Sequence, residues 1–179
     1  MAELTDTLNE LLEGRAARIG QRIGADEEQT RAATRMAVPA LLAALSQEAR
    51  PGTGLQAAIE RDHDGSILDQ LDDYLGGSAQ LSPRTTNGAG ILEHTLGARQ
   101  QDLEQTLSAK SGLDIGSIGK LLITLAPVLM GMLGKQGRSS SGGGGIDIGS
   151  LGGLLNRETN DARSKDADIG DILDTFARR

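Results

Sequence analysis

The sequence predicts an all-α protein, with a multihelical body, a flexible Ser/Gly linker and a short helical tail. Apolar residues recur at helical spacing along much of the chain. Only Tyr74 and Phe176 are aromatic, so the core has to be built from Leu, Ile, Ala and Met, which favours close-packed helices over a sheet sandwich. Many of the 25 glycines stand where these helical patterns begin or end.

The first part of the chain predicts three helices. Leucines at helical spacing give a helix between Glu3 and Leu12, and a second helix runs through "RAARIGQRIG" and ends at Gly24. The third begins at Asp26, where an Asp N-cap with Gln29 three residues later indicates a capping box. Pro39 lies inside this third pattern and predicts a kink.

The segment "GLDIGSIGKLLITLAPVLMGMLGKQ" (112–136) has the same layout. Asp114 precedes Pro127 by the same separation that joins Asp26 to Pro39. The sequence therefore predicts an internal duplication, with two related Pro-kinked units near residues 10–75 and 98–136.

Composition divides the chain into a helical domain at 1–136, a Ser/Gly-rich linker at 137–145 and a tail with short helices at 146–179. The phrase "GLDIGSIGKLL" (112–122) returns as "GIDIGSLGGLL" (145–155). The repeat indicates either a tethered helix that mimics part of the body or one helix-start phrase used again. A tail helix containing three glycines needs a docking surface to be stable. Three outcomes remain open, namely docking on its own body, exchange with another copy, or disorder. The residues expected to dock are Ile148, Leu151, Leu154 and Leu155.

Charge and composition exclude several functional classes. A net charge of −7 gives no general attraction for nucleic acids or anionic lipids. The absence of cysteine excludes disulfides and thiolate metal sites, and it fits a reducing compartment. The apolar run Leu121–Leu133 is too short for a bilayer and contains Pro127, so we expect a buried helix and no membrane insertion. With an N-terminus that lacks signal-peptide features, the sequence predicts a cytoplasmic protein.

The acidic stretch "IERDHDGSILDQLDDYLGG" (59–77) is the nearest approach to a cation site. Placing Gly65 at the glycine position of a calcium loop puts Glu60, Asp62 and Asp64 at the first three ligand positions. Leu71 then takes the position of the closing Glu, so we expect no tight calcium binding. These three acids are the metal-ligand candidates, and the sequence predicts no catalytic residue, no cofactor and no metal centre.

A structural interpretation of the same stretch is favoured. Ser66 as an N-cap with Asp69 at the third helical position would form a capping box, with negative charge near the positive helix end. His63, between two aspartates, is expected to be solvated, and His94 is expected on a helix surface. Two histidines without cysteine make a thin ligand set.

Five phrases in order resemble the bacterial domain-of-unknown-function family 937, of the YidB-like group. They are "VPALLAAL" (38–45), "ERDHDGSILDQL" (60–71), "GAGILEHTLG" (88–97), "SGLDIGSIGKLL" (111–122) and "LAPVLMGMLGKQ" (125–136). The resemblance covers roughly residues 10–136 and implies a soluble all-α fold. It implies no activity, cofactor or catalytic residue, so no functional residue is carried over.

Elimination leaves a non-enzymatic protein–protein interaction or assembly module, binding a protein partner or itself, as the leading function. The alternative is a cation- or small-ligand-responsive protein that uses the acidic 60–73 segment, and an enzyme of unrecognised type comes third. A large exposed apolar patch would favour the first. A cleft that joins His63, Asp62 and Asp64 to other polar groups would favour the other two.

Overall fold

The computed structural model describes residues 4–140, 142 and 145–177, and this part of the chain is helical with no strand. The all-α prediction is therefore confirmed. The helices are α1 (Leu4–Glu13), α2 (Ala16–Ile23), α3 (Glu27–Glu48), α4 (Leu55–Asp62), α5 (Ser66–Asp69), α6 (Leu71–Gly76), α7 (Gly88–Thr95), α8 (Gln100–Ser111), α9 (Ile115–Ser140), α10 (Ile148–Lys165) and α11 (Ala167–Ala177), with a 3-10 turn at Gly97–Arg99.

Two long helices, α3 and α9, organise the core. Helix α3 packs against α1, α2, α8, α10 and α11, and α9 packs against α2, α4, α5, α7 and α8. Helix α9 is the one described helix long and apolar enough to cross a membrane, with a mean hydropathy of 1.7 over its most apolar window. Within the protein, 67% of that window is buried. The apolar run 121–133 thus lies in the core, as expected.

Aspartate caps begin both long helices. The backbone N–H of Gln29 donates to Asp26 Oδ1 at 2.9 Å, and the N–H of Ser117 donates to Asp114 Oδ1 at 3.0 Å. The predicted capping box at Asp26 is wrong in its second half, because Gln29 Nε2 donates to the Gly112 carbonyl at 3.5 Å instead. That carbonyl lies just after α8, so the Gln29 side chain ties the start of α3 to the segment that leads into α9.

Pro39 and Pro127 both lie inside helices that continue on either side of them. Proline removes one intrahelical hydrogen bond at each place. The duplication of the two units and the bend at each proline stay predictions.

Glycines allow α9 to approach its neighbours closely. A Cβ atom at Gly134 would lie 1.8 Å from the His63 carbonyl oxygen, and one at Gly131 would lie 2.4 Å from Ile67 Cγ2. On α7, a Cβ at Gly88 would lie 1.8 Å from the α9 carbonyl of Ile123. No side chain larger than hydrogen fits at these crossings, so glycine there sets the helix spacing.

The boundary of the predicted linker differs from the structure. Helix α9 continues to Ser140, so residues 137–140 are helical and not linker. Gly137 explains why the helix continues into this stretch. It is buried, and a Cβ atom there would lie 2.9 Å from Ile146 Cγ2, so this turn of α9 packs against Ile146. Residues 141, 143 and 144 of the predicted linker lie outside the described residues. Helix α10, with 18 residues, is longer than the short helix expected in the tail.

Candidate functional site

The first candidate region is the surface on which the tail lies. We call the α10–α11 segment (146–177) the tail and the surface of α1, α3 and α8 that contacts it the docking face. Three of the four residues predicted to dock are buried, namely Ile148, Leu151 and Leu155, and Leu154 is partly buried against the core. Further along the tail, Ala162, Ile172 and Leu173 are also buried. The tail therefore packs on its own body.

Helix α10 approaches α3 closely at one point. A Cβ atom at Gly152 would lie 2.9 Å from the Ala49 carbonyl oxygen at the end of α3. A glycine of the "SLGGLL" phrase that looked costly for a helix is thus required by the contact. Its neighbour Gly153 has no atom within 4 Å of its Cβ position.

A buried glutamate joins the tail to the first helix. Glu158 is 3% exposed, and its carboxylate accepts the backbone N–H groups of Leu4 at 2.9 Å and Thr5 at 2.8 Å. The Thr5 hydroxyl donates to the same carboxylate at 2.8 Å. The first backbone N–H groups of a helix have no partner within it and carry a partial positive charge. Glu158 supplies both acceptor and negative charge from another helix.

Exposed ion pairs surround this contact. Lys110 Nζ lies 2.8 Å from Asp168 Oδ1 and 3.5 Å from Asp171 Oδ2, and Lys165 Nζ lies 3.4 Å from Asp6 Oδ2. Pairs of this kind contribute little stability individually. Their arrangement orients the tail on α8 and α1, whereas the buried leucines and Glu158 hold it.

The predicted ligand candidates are used in other contacts. Glu60 Oε1 accepts the Ile146 N–H at 3.0 Å, and this bond, followed by one from Gln56, lowers the Glu60 pKa. Asp62 pairs with Arg61 at 2.8 Å, and the hydrogen bond from Arg61 lowers the Asp62 pKa. No cluster of three ligating side chains occurs among the described residues.

The capping box predicted at Ser66 is wrong. Helix α5 has only four residues and already begins at Ser66, the residue that was expected to cap it. Gly65, at a φ of 94°, takes the N-cap position instead. Asp64 Oδ1 instead accepts the Ser66 N–H at 2.9 Å, and hydrogen bonds from the Ser66 hydroxyl and backbone lower the Asp64 pKa. The turn forms one residue earlier because Gly65 adopts a left-handed conformation that other residues rarely take.

The second candidate region is a cleft between α4 and α7, with a volume of about 350 Å³. We call it the α4–α7 cleft. Its apolar side is formed by Leu55, Ala58, Ile91 and Met130, and its polar side includes Arg61, Asp62, His63, Arg84, Asn87 and His94. It therefore joins His63 and Asp62 to other polar groups, but Asp64 is not part of its lining.

His63 differs from its prediction. It was expected in solvent, but it is 3% exposed, since α9 packs directly against its backbone at Gly134. Burial lowers the His63 pKa, more than the negative charges of Asp62 and Asp64 raise it. Its buried Nδ1 makes no hydrogen bond with the part of the chain that the structure describes. The imidazole is thus neutral near pH 7 and carries an unused polar atom beside the cleft.

The two arginines of the cleft have different surroundings. Arg61 is held by Asp62, whereas exposed Arg84 makes no ion pair with any residue that the structure describes. His94 lies on the surface of α7, as predicted, and its Nε2 is 3.3 Å from the Thr53 carbonyl oxygen. Sequence reasoning missed Arg84. Its position within "SPRTTN" (82–87), a turn-forming segment before α7, was the only available signal.

Comparison with known proteins identifies the family. Residues 6–136 match the description "bacterial protein of unknown function (DUF937)". The chain belongs to this family. No curated protein and no solved structure matches it.

The DUF937 region ends near the end of α9. It contains the α4–α7 cleft and the docking face except for Leu4 and Thr5 at the start of α1, whereas the tail lies outside the matched residues. The tail therefore covers part of the family domain with a segment that is not part of the match. Among the described residues, the large apolar side chains left exposed are Ile115 and Ile123.

Proposed function

We propose that this DUF937 protein is a non-enzymatic assembly module whose docking face binds an amphipathic helical segment, and that the occupant is the tail of a second copy. The observation that supports this is the tail itself. A segment outside the family match places Ile148, Leu151 and Leu155 on the family domain, and it is attached through a run of four glycines at 142–145.

The connecting segment decides between docking on the chain's own body and exchange with a neighbouring copy. A tail that docks on its own body or on a neighbour makes the same contacts, so the difference in free energy lies in the connecting segment and in the entropy of association. Gly142 and Gly145 have φ values of 54° and 69°, which glycine adopts without steric cost. A connection this short gives the chain's own tail an effective concentration of roughly millimolar. Exchange therefore needs a high local concentration of copies, as in an assembly.

Charge and composition support the remaining parts of the proposal. The net charge of −7 favours protein partners or self-association over nucleic acid, and the absence of cysteine fits a cytoplasmic location. The acidic 60–73 segment supplies contacts within the protein, because Glu60, Asp62 and Asp64 each accept a hydrogen bond.

Crosslinking with single cysteines tests exchange directly, because the chain has no cysteine of its own. Lys110→Cys is made in one tagged copy and Asp168→Cys in a copy with a different tag. These positions face each other across the tail contact, at 2.8 Å between their native side chains. The copies are mixed at high concentration, incubated, and treated with a short bis-maleimide. Exchange gives a crosslink that carries both tags.

Two controls make the result interpretable. A chain with both cysteines should crosslink internally, which shows that the reagent spans the contact. Ser78→Cys, at an exposed position away from the docking face, replaces Lys110→Cys in the second control and should give no mixed product. Internal crosslinking without any mixed product, together with an oligomeric state that stays the same after removal of residues 141–179, would contradict the proposal.

A further inference from the structure

The α4–α7 cleft has a charge that differs from that of the whole protein. In a chain with a net charge of −7, the cleft is lined by two arginines and a single carboxylate, that of Asp62. The side chain of Asp62 is only 14% exposed and is already paired with Arg61. Arg84 is exposed and has no ion pair with any described residue. The cleft therefore presents an unbalanced positive charge at its rim.

A second observation, independent of the arginines, also indicates a ligand. His63 is only 3% exposed, and it lines the same cleft. Neither ring nitrogen makes a hydrogen bond with any residue that the structure describes, and Nδ1 is inaccessible to solvent. Buried polar side chains nearly always have a partner, and one left without a partner calls for an explanation. Because Nδ1 is buried, a molecule bound in the cleft would form its hydrogen bond with Nε2, the ring nitrogen that is not fully buried.

The apolar part of the lining defines the rest of the ligand. Leu55, Ala58, Ile91 and Met130 line the same cleft as the two arginines. A volume of about 350 Å³ is within the range of pockets for small molecules. Arginine suits carboxylates and phosphates in particular, since its planar donors match two oxygens at once.

We infer that the α4–α7 cleft binds a small organic anion with an apolar body, whose carboxylate or phosphate is held by Arg61 and Arg84 and whose polar atom is hydrogen-bonded to His63. This site belongs to the DUF937 domain and does not depend on the tail. It is separate from the assembly role, so either can fail without the other.

The test uses ¹⁵N-labelled full-length protein and three probes, namely benzoate, phenyl phosphate and inorganic phosphate. The two aromatic anions should shift the amide signals of residues 53–63 and 84–95 in a saturable way. Inorganic phosphate, which lacks an apolar body, should bind more weakly. A stronger effect of benzoate than of phenyl phosphate, or the reverse, identifies the preferred anionic group.

Variants then separate the site from chance binding. Arg84→Gln, and the double variant with Arg61→Gln, should raise the Kd by about tenfold or more, the factor that corresponds to one charge-assisted hydrogen bond. Arg50→Gln, an exposed arginine outside the cleft lining, is the matched control and should leave the Kd unchanged. His63→Phe should also raise the Kd while it keeps or increases the thermal midpoint, since it removes a buried polar group that has no partner.

The outcomes that overturn the inference are specific. One is the absence of saturable shifts in the cleft amides with any probe at concentrations up to about 10 mM, which would mean a Kd well above the millimolar range. Another is equal binding of all three probes that survives the double arginine variant, which would mean an adventitious ion only. A third is binding unaffected by His63→Phe, which would leave the imidazole without a role in the site.

Discussion

Replacement of Glu158 by alanine provides the most direct test of how the tail is held. The carboxylate accepts two backbone N–H groups at the start of α1 and the hydroxyl of Thr5, at distances of 2.8 to 2.9 Å. A hydrogen bond to a charged group contributes about 1.5–3 kcal/mol, and leaving buried donors unpaired adds a further penalty. Two effects make the net loss of stability smaller than the sum of these contributions. The first turn of α1 can open to water, and removing the carboxylate also removes the free-energy cost of burying it.

We therefore expect Glu158→Ala to lower the free energy of unfolding by about 3 kcal/mol, close to the range for removing one partner of a buried charged contact. Glu158→Gln keeps one acceptor oxygen and loses the charge, so its loss should be about half as large. A change of this size is a large share of the total stability of a domain, which is about 5–15 kcal/mol.

Urea unfolding followed by circular dichroism measures both losses, provided that the slope with denaturant stays constant. Hydrogen exchange should show faster exchange in residues 4–8 of α1, with α9 unchanged. The control is Glu10→Ala, an exposed glutamate on α1, which should lie within about 0.5 kcal/mol of the parent protein. The reasoning is refuted if Glu158→Ala is as stable as this control.

Further predictions concern helix spacing, a buried histidine and a cap. Gly134→Ala should destabilise the protein by about 3 kcal/mol, because the new methyl group collides with the His63 carbonyl. Gly153→Ala, where the space is open, should stabilise it by about 0.5–1 kcal/mol. Urea unfolding of both variants and the parent protein measures the two changes. As the pH falls from about 7 to about 5.5, the parent protein should lose stability and His63→Phe should not, because burial lowers the His63 pKa and the unfolded chain takes up the proton first. This window lies above the pH at which the two flanking aspartates titrate, and equal losses in both proteins would contradict the assignment. Asp114→Ala should lower the urea midpoint, whereas Asp114→Asn should keep a midpoint close to that of the parent protein, since Asn still accepts the Ser117 N–H. If Asp114→Ala has the same midpoint as the parent protein, the cap does not stabilise α9.

Short-range features of this fold could be predicted from the sequence. The caps at Asp26 and Asp114 depend on a side chain and a backbone group three residues apart, so the local pattern is sufficient. Helical spacing also identified Ile148, Leu151 and Leu155 as the residues that would dock, and all three are buried, although the sequence left docking, exchange and disorder open.

Features set by distant contacts could not be predicted. His63 looked solvated between two aspartates, but its burial depends on Gly134, far along the chain, which lets α9 reach the His63 backbone. No prediction was made for Glu158, because its burial depends on a contact with Leu4 and Thr5 at the other end of the chain. A signal was present: Glu158 falls on the same helical face as Leu151, Leu155 and Ala162, all of them buried. A charged residue on an apolar face indicates a buried partner, although the sequence does not say which.

The phrases that carry the family resemblance have structural explanations, and this bears on where function lies. In "GAGILEHTLG", Gly88 contacts the Ile123 carbonyl, and in "LAPVLMGMLGKQ", Gly134 contacts the His63 carbonyl. In "ERDHDGSILDQL", Asp64 caps the turn and Gly65 adopts the left-handed conformation. These residues determine helix spacing and turns in this chain, so packing explains their presence in the phrases. His63 is the exception in its phrase, since its buried Nδ1 has no partner. A polar residue that costs stability and serves no contact is where a binding role is best sought, and His63 lies beside the unbalanced positive charge of the α4–α7 cleft.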